Sequence, residues 1–196
     1  MEWRIFDNME YCTETEVQAM LPLVSDQRRE QALRYKHTLG RFCCLKSWLM
    51  LREMTGEAGE FEYNEHGKPF LPNGPYFSIS HCKAGIAVAI DCEPVGIDIE
   101  SVRQADDDLI KRVMCAREQE MIRIAEHPER TFTRLWTMKE AVVKAQGTGI
   151  TSFEQLQTVL NRNEQKLQTT EKENYIYTIA YGKLHCFSAK VQAAEF

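Results

Sequence analysis

Apolar and polar positions along this chain follow two rhythms, and the rhythm switches several times. A period of two marks a strand with one buried face; a period near 3.6 marks an amphipathic helix. WRIF, close to the N-terminus, predicts a first strand. Ser25 suits a helix cap ahead of a segment carrying Arg28, Arg29, Arg34 and Lys36. Leu39, Phe42, Cys43, Leu49 and Met50 then recur at helical spacing and predict a second helix. EFEY, YFSIS, GIAVAI and VGIDIE read as strands set apart by glycine, proline and asparagine. From about Gln104 to Gln146 the pattern is helical. FEQLQTVL, NYIYTIAY and KLHCFSAKV predict closing strands, split by a polar stretch from Asn161 to Asn174.

Helices followed by strands thus occur twice. That order predicts an α+β fold of two similar halves with a pseudo-twofold relation, each a helix packed on a mostly antiparallel sheet. A boundary near residue 100 gives an N-terminal half, 1–100, and a C-terminal half, 101–196. No short repeat or low-complexity segment interrupts the pattern.

Composition narrows the class. With 43% apolar and 27% charged residues the chain is an ordinary globular protein. GIAVAI, the longest uncharged apolar run, is far shorter than the ~20 residues of a membrane span. MEWRIFDNMEYC carries acids where a signal peptide has a basic end and an apolar stretch, which predicts a cytoplasmic protein. The seven cysteines are scattered without a CxxC pair, so reduced thiols are expected rather than a zinc site. A formal charge of −5 argues against a general nucleic-acid binder.

The stretch WTMKEAVVKAQG raises a chemical question. On a helix, Phe132, Leu135, Met138, Val142, Val143 and Ala145 share one apolar arc, with Lys139 in its middle and Glu140 at its edge. Glu140 and Lys144 are one turn apart and suit a plain exposed ion pair, or Glu140 serves as a third carboxylate ligand or a base beside a metal. Lys139 requires an anionic partner or must run its stem out to water. Upstream, VGIDIE sets Asp98 and Glu100 on one face of a strand and Ile97 and Ile99 on the other. Paired carboxylates repel unless a cation lies between them, and a hard divalent ion takes such oxygens. Acids facing water at a strand end explain the same pattern, so both readings stay open at this point. Ser80-His81 ends a strand, where a histidine can meet a phosphate or stay structural. Lys68 lies in a turn fixed by Gly67 and Pro69. The SDQRREQALRYKHT segment offers a basic helix face suited to phosphate or to water.

Taken in order, these motifs resemble the 4′-phosphopantetheinyl transferase family, in its longer pseudo-dimeric type. The resemblance rests on Gly67-Lys68-Pro69, Ser80-His81, Gly96-Ile97-Asp98-Ile99-Glu100 and Trp136 through Lys144, and runs from roughly Ser25 to Ile150. It implies magnesium-dependent transfer of 4′-phosphopantetheine from coenzyme A to a serine of an apo acyl or peptidyl carrier protein, with adenosine 3′,5′-bisphosphate as co-product. It further implies that Asp98, Glu100 and Glu140 hold magnesium, or manganese in its place. Glu140 would take the serine proton, Lys144 would stabilise pyrophosphate charge, and His81, Lys68 and Arg28 would grip phosphates beside Pro69 and Ser80. Lys139 would be a charge partner orienting the acidic cluster.

The chain departs from the family at Gln31, where a lysine is frequent, and leaves Lys36, His37, Thr38 and Glu118 as uncertain equivalents. Lys111, Arg112, Met114 and Arg117 are the candidate surface for the carrier. A monomer is expected, since two halves can complete one site, and neither nucleic acid nor membrane is an expected partner. Two further readings are a magnesium-dependent hydrolase of a coenzyme A or nucleotide pyrophosphate, and a non-catalytic coenzyme A-binding module.

Overall fold

A computed structural model describes residues 1–56 and 62–182. The N-terminal part begins with β1 (Glu2–Phe6), the strand expected at WRIF, followed by α1 (Glu14–Met20), a helix that the hydrophobic pattern did not announce. Thr13 caps α1 by accepting the Glu16 N–H at 3.2 Å. In α2 (Asp26–Leu33) Ser25 accepts the Arg28 N–H, the cap that the sequence predicts. The helix stops before Lys36, however, so Lys36 lies in the connection to α3 and not on a basic helix face. The long α3 (Thr38–Thr55) buries Phe42, Cys43, Leu45, Trp48 and Leu51.

Of EFEY only β2 (Glu62–Tyr63) lies in the described residues; it pairs with β3 (Pro69–Phe70) across the turn that holds Gly67 and Lys68. β4 (Tyr76–Cys82) and β5 (Gly85–Asp91) follow, and β1, β5 and β4 form an antiparallel sheet in that order. The helices cover its outer face around Phe42, Leu51, Phe77 and Val88.

The next strand, β6 (Val95–Ser101), carries the paired carboxylates. The helical stretch after it is three helices: α4 (Asp107–Val113), α5 (Ala116–Ile124) and α6 (Pro128–Gln146). FEQLQTVL, expected as a strand, is instead α7 (Phe153–Thr158). Ser152 caps it by accepting the Gln155 N–H at 3.2 Å, and Leu156 and Val159, three apart, are its buried anchors. The polar stretch expected as a connection contains β7 (Lys166–Glu171), an edge strand paired with β8 (Tyr175–Tyr181). Backbone pairing to β8 makes this polar segment a strand without an apolar face of its own. KLHCFSAKV lies outside the described residues.

The second sheet is antiparallel in the order β6-β8-β7. The α+β class is therefore as the sequence predicts: among the described residues, two three-stranded antiparallel sheets with helices against them, and the short β2–β3 pair. β6, which opens the second sheet, also lies against β4 of the first, where Ser78 Oγ accepts the Ile97 N–H at 3.0 Å. Ile97 and Ile99 turn into the shared core with Ile5, Ala87 and Ile179, as the alternation of VGIDIE requires. The opposite face of β6 meets α6. Gly96 makes that approach possible: a Cβ there would overlap the Ala141 carbonyl oxygen and sit 2.5 Å from Ala145 N. Six cysteines among the described residues are free thiols, as expected, and burial pushes Cys43 up to about 12.

Candidate active site

The carboxylates of β6 and the polar edge of α6 face each other across the Gly96 contact. Asp98 is buried and its Oδ1 sits 2.6 Å from Lys144 Nζ. Ser80, on β4, donates its hydroxyl to the same Oδ1 at 2.8 Å and accepts from Lys144 Nζ at 2.9 Å. Three residues from β4, β6 and α6 thus share one small polar triangle. Of the two readings of the Glu140–Lys144 spacing, the plain exposed pair gives way to this cross-sheet pair, because α6 turns Lys144 toward β6. Asp98 Oδ2 is buried and has no hydrogen-bond partner. Buried polar atoms are nearly always satisfied, so an orphan lone pair marks a place for a donor or a cation.

Glu100 and Glu140 complete an acidic group. Burial raises the Glu100 carboxyl above its usual range, the Asp98 charge raises it further, and the Trp136 indole, donating Nε1–H to Oε1 at 3.2 Å, opposes both. Burial first and the Asp98 charge second push Glu140 up to about 7, against the pull of Lys144. Carboxylates that repel at close range are what a hard cation would neutralise, and their oxygens are the donors such an ion prefers. As the side chains stand, Asp98 Oδ1 is turned to Lys144 and Glu100 Oε1 to Trp136. Among the described residues no three His, Cys, Asp or Glu side chains close on one point. The donor set and the orphan Oδ2 nonetheless fit a divalent ion.

A cavity of about 350 Å³ opens beside this group, lined by Lys68, Pro69, Phe77, Glu140, Lys144 and Ile150 among others. Lys68 Nζ donates to Lys144 O at 2.6 Å, and Asn64 Nδ2 to Gly147 O at 3.0 Å. The turn between β2 and β3 thereby braces the C-terminal end of α6, where a cation meets the negative end of the helix dipole. Burial lowers Lys68 to about 8. His81 keeps exposed surface at the end of β4; the surrounding protein and then the Lys144 charge hold its imidazole below the usual range.

Other expected residues lie elsewhere. Arg28 stands on α2 with its guanidinium 5.1 Å from the centre of the Trp48 ring and Nη1 3.7 Å from Cys44 Sγ. It does not line the cavity beside Glu140. Gln31 links α2 to Tyr63 at 3.4 Å. Lys139 does not orient the acidic cluster by pairing with it; its partner is Glu118, 2.8 Å away on α5. Met114 is fully buried and drops out of the candidate carrier surface, whereas Lys111, Arg112 and Arg117 are exposed.

Sequence reasoning did not find Ser78, which ties β4 to β6, or the donor role of the Trp136 indole. The alternation of FSIS, which sets Ser78 and Ser80 on one face, carried the signal for the first.

The sequence that folds into this site has counterparts among known proteins. The family model for the 4′-phosphopantetheinyl transferase superfamily matches residues 94–194. The chain belongs to that superfamily. It is 32% identical over 143 residues to a 4′-phosphopantetheinyl transferase of Bacillus subtilis, covering 67% of this chain and 63% of that protein. It is 32% identical over 155 residues to the 4′-phosphopantetheinyl transferase gsp of Aneurinibacillus migulanus, covering 73% and 65%. Against the transferase AcpT of Salmonella typhi it is 38% identical over 113 residues, or 52% and 58%. The chain thus spans less than two thirds of the length of these relatives.

Proposed function

We propose that this protein transfers 4′-phosphopantetheine from coenzyme A to a serine hydroxyl of an apo carrier protein, leaving holo carrier protein and adenosine 3′,5′-bisphosphate. The observation that carries the reading is the Asp98–Lys144–Ser80 triangle with its orphan carboxylate oxygen, set beside Glu140 at the edge of a cavity. Superfamily membership and relatives named as such transferases support it.

Phosphoryl transfer depends on positioning and charge neutralisation more than on covalent help from the protein. Asp98, Glu100 and Glu140 would hold magnesium or manganese, which supplies positive charge against the coenzyme A pyrophosphate. Glu140, a carboxylate at the edge of the cavity, is placed to accept a proton there. It takes the proton of the carrier serine as that oxygen forms its bond to the phosphorus bearing the pantetheine arm. The bond from that phosphorus to the bridging oxygen breaks, and the electron pair leaves on adenosine bisphosphate. Lys144, already poised at Ser80, meets the charge that develops on this leaving group. Lys68, Pro69 and His81 would flank the phosphates, with Arg28 a phosphate contact from outside the cavity.

The carrier would approach over Lys111, Arg112 and Arg117, whose cations suit an acidic partner. The protein acts as a monomer in the cytoplasm on this reading.

Product analysis separates this reaction from pyrophosphate hydrolysis. Adenosine 3′,5′-bisphosphate should appear from coenzyme A and magnesium when an apo carrier is added and not when its serine is replaced by alanine. Release at the same rate without any carrier would assign the site to a hydrolase.

A further inference from the structure

Lys139 is fully buried, yet its ammonium touches no group of the phosphate site. Nζ lies 2.8 Å from Glu118 Oε2 and donates to Leu156 O at 2.6 Å. Glu118, itself buried, uses the same Oε2 to accept the Cys115 N–H at 2.8 Å, which caps the start of α5. The beginning of α5, the middle of α6 and the body of α7 therefore converge on one ammonium. Lys139 projects from the face of α6 that also carries Phe132, Leu135 and Val142, deep in the apolar core of the second sheet.

A charge pair in such a place is a weak stabiliser. Desolvation cancels much of its attraction, and apolar side chains of similar volume often serve as well. What a directional pair adds is an angle. Apolar contacts tolerate sliding and rotation, whereas an ammonium held by a carboxylate and a carbonyl fixes the bearing of its own Cα. Lys139 and Glu140 are successive residues, about 100° apart around the helix. Anchoring the first on the core side sets where the second points on the site side. Trp136, one turn earlier, donates to Glu100, and Lys144, one turn later, pairs with Asp98.

We propose that the Lys139–Glu118–Leu156 node is a positioning device. It locks the rotation of α6, so that Trp136, Glu140 and Lys144 meet the carboxylates of β6 together. Only its consequence for rate rests on the transferase reading above; the geometric claim stands by itself.

The test separates position from stability. Lys139→Met alone strips the partner from a buried carboxylate and lowers Tm. Adding Glu118→Gln removes the stranded charge and keeps an oxygen for the Cys115 N–H, so the double variant regains most of the lost Tm. In that variant the Trp136 indole N–H, identified in NMR spectra by its loss in Trp136→Phe, should exchange with water about tenfold faster than in wild type. With an active carrier, kcat should fall roughly hundredfold while KM for coenzyme A stays unchanged. Indole exchange within about twofold of wild type, at recovered Tm, overturns the proposal. If the double variant does not fold, Glu118→Asp, which keeps the charge but retracts the carboxylate, is read by the same indole exchange with the same two outcomes. Wild-type protein inert toward every carrier would refute the transferase reading, while indole exchange still decides this one.

Discussion

Asp98 gives one oxygen to Lys144 at 2.6 Å and to Ser80 at 2.8 Å, and keeps the other buried without a partner. Around this atom the remaining ionisable side chains are tuned by burial and by one another. Glu140 is driven up to about 7 because its charge would add to two nearby carboxylates out of water. Lys68 is driven down to about 8 because its ammonium is half-buried with only carbonyl oxygens as its partners. The sign of the second shift gives a pH prediction. A lysine with a lowered value carries its charge below about 8 and loses it above, whereas an ordinary lysine stays charged to ~10.4. Any hold of Lys68 on a phosphate is present at pH 7 and fades as pH rises through about 8. The affinity for coenzyme A, measured by calorimetry from pH 7 to 9.5, should decline across that window in wild type and stay flat in Lys68→Met. A flat wild-type profile would remove Lys68 from phosphate binding and leave it only as the brace of α6.

At the scale of elements, the site depends on how closely α6 lies on β6. Gly96 permits that contact, since a methyl group at its Cα has no room against Ala141 O and Ala145 N. Gly96→Ala should push the helix off the strand, costing about 1–3 kcal/mol of stability by chemical denaturation, as overpacking does. It should also reduce kcat by more than the unfolded fraction explains; unchanged kinetics would show that the contact is not needed to align Lys144 with Asp98. Much of this arrangement was legible in the residues. VGIDIE announced its two faces by strict alternation, and the apolar arc around Lys139 marked that lysine for the core side of its helix. FEQLQTVL misled because its apolar residues satisfy both a short strand and a short helix, and only the Ser152 cap decides between them. β7 was missed because an edge strand made of polar residues has no hydrophobic rhythm to read. The Lys139–Glu118 and Lys144–Asp98 pairs were not legible at all: their partners lie 21 and 46 residues apart, and local spacing carries no information about which long-range partner a side chain meets.

For the molecule as a whole, two sheets meet along β4 and β6 and hold the acids of one element against the helix of another. Tyr175, on β8, adds a further tie by donating its hydroxyl to Asp7 at 2.8 Å. A cavity at such a junction is a common home for a ligand. The basic corner proposed to meet the carrier lies on α4, whose residues do not line this cavity. Lys111 and Arg112 end α4, where Gln157 donates to both of their carbonyls and Arg112 lies 5.8 Å over the Phe153 ring, so this basic corner is fixed to the scaffold. Lys111→Glu with Arg112→Glu should raise KM for an acidic carrier by roughly tenfold or more and leave KM for coenzyme A unchanged; equal values for both substrates would place the docking surface elsewhere. The most direct measurement of the central claim is intact-protein mass spectrometry of an apo acyl carrier protein incubated with this protein, coenzyme A and magnesium, beside a Glu140→Ala control. The account predicts that the carrier gains the mass of one phosphopantetheine with the wild type and that the gain is lost with the control. Carriers of several kinds left unmodified by a protein that binds coenzyme A, or a control as active as wild type, would contradict it.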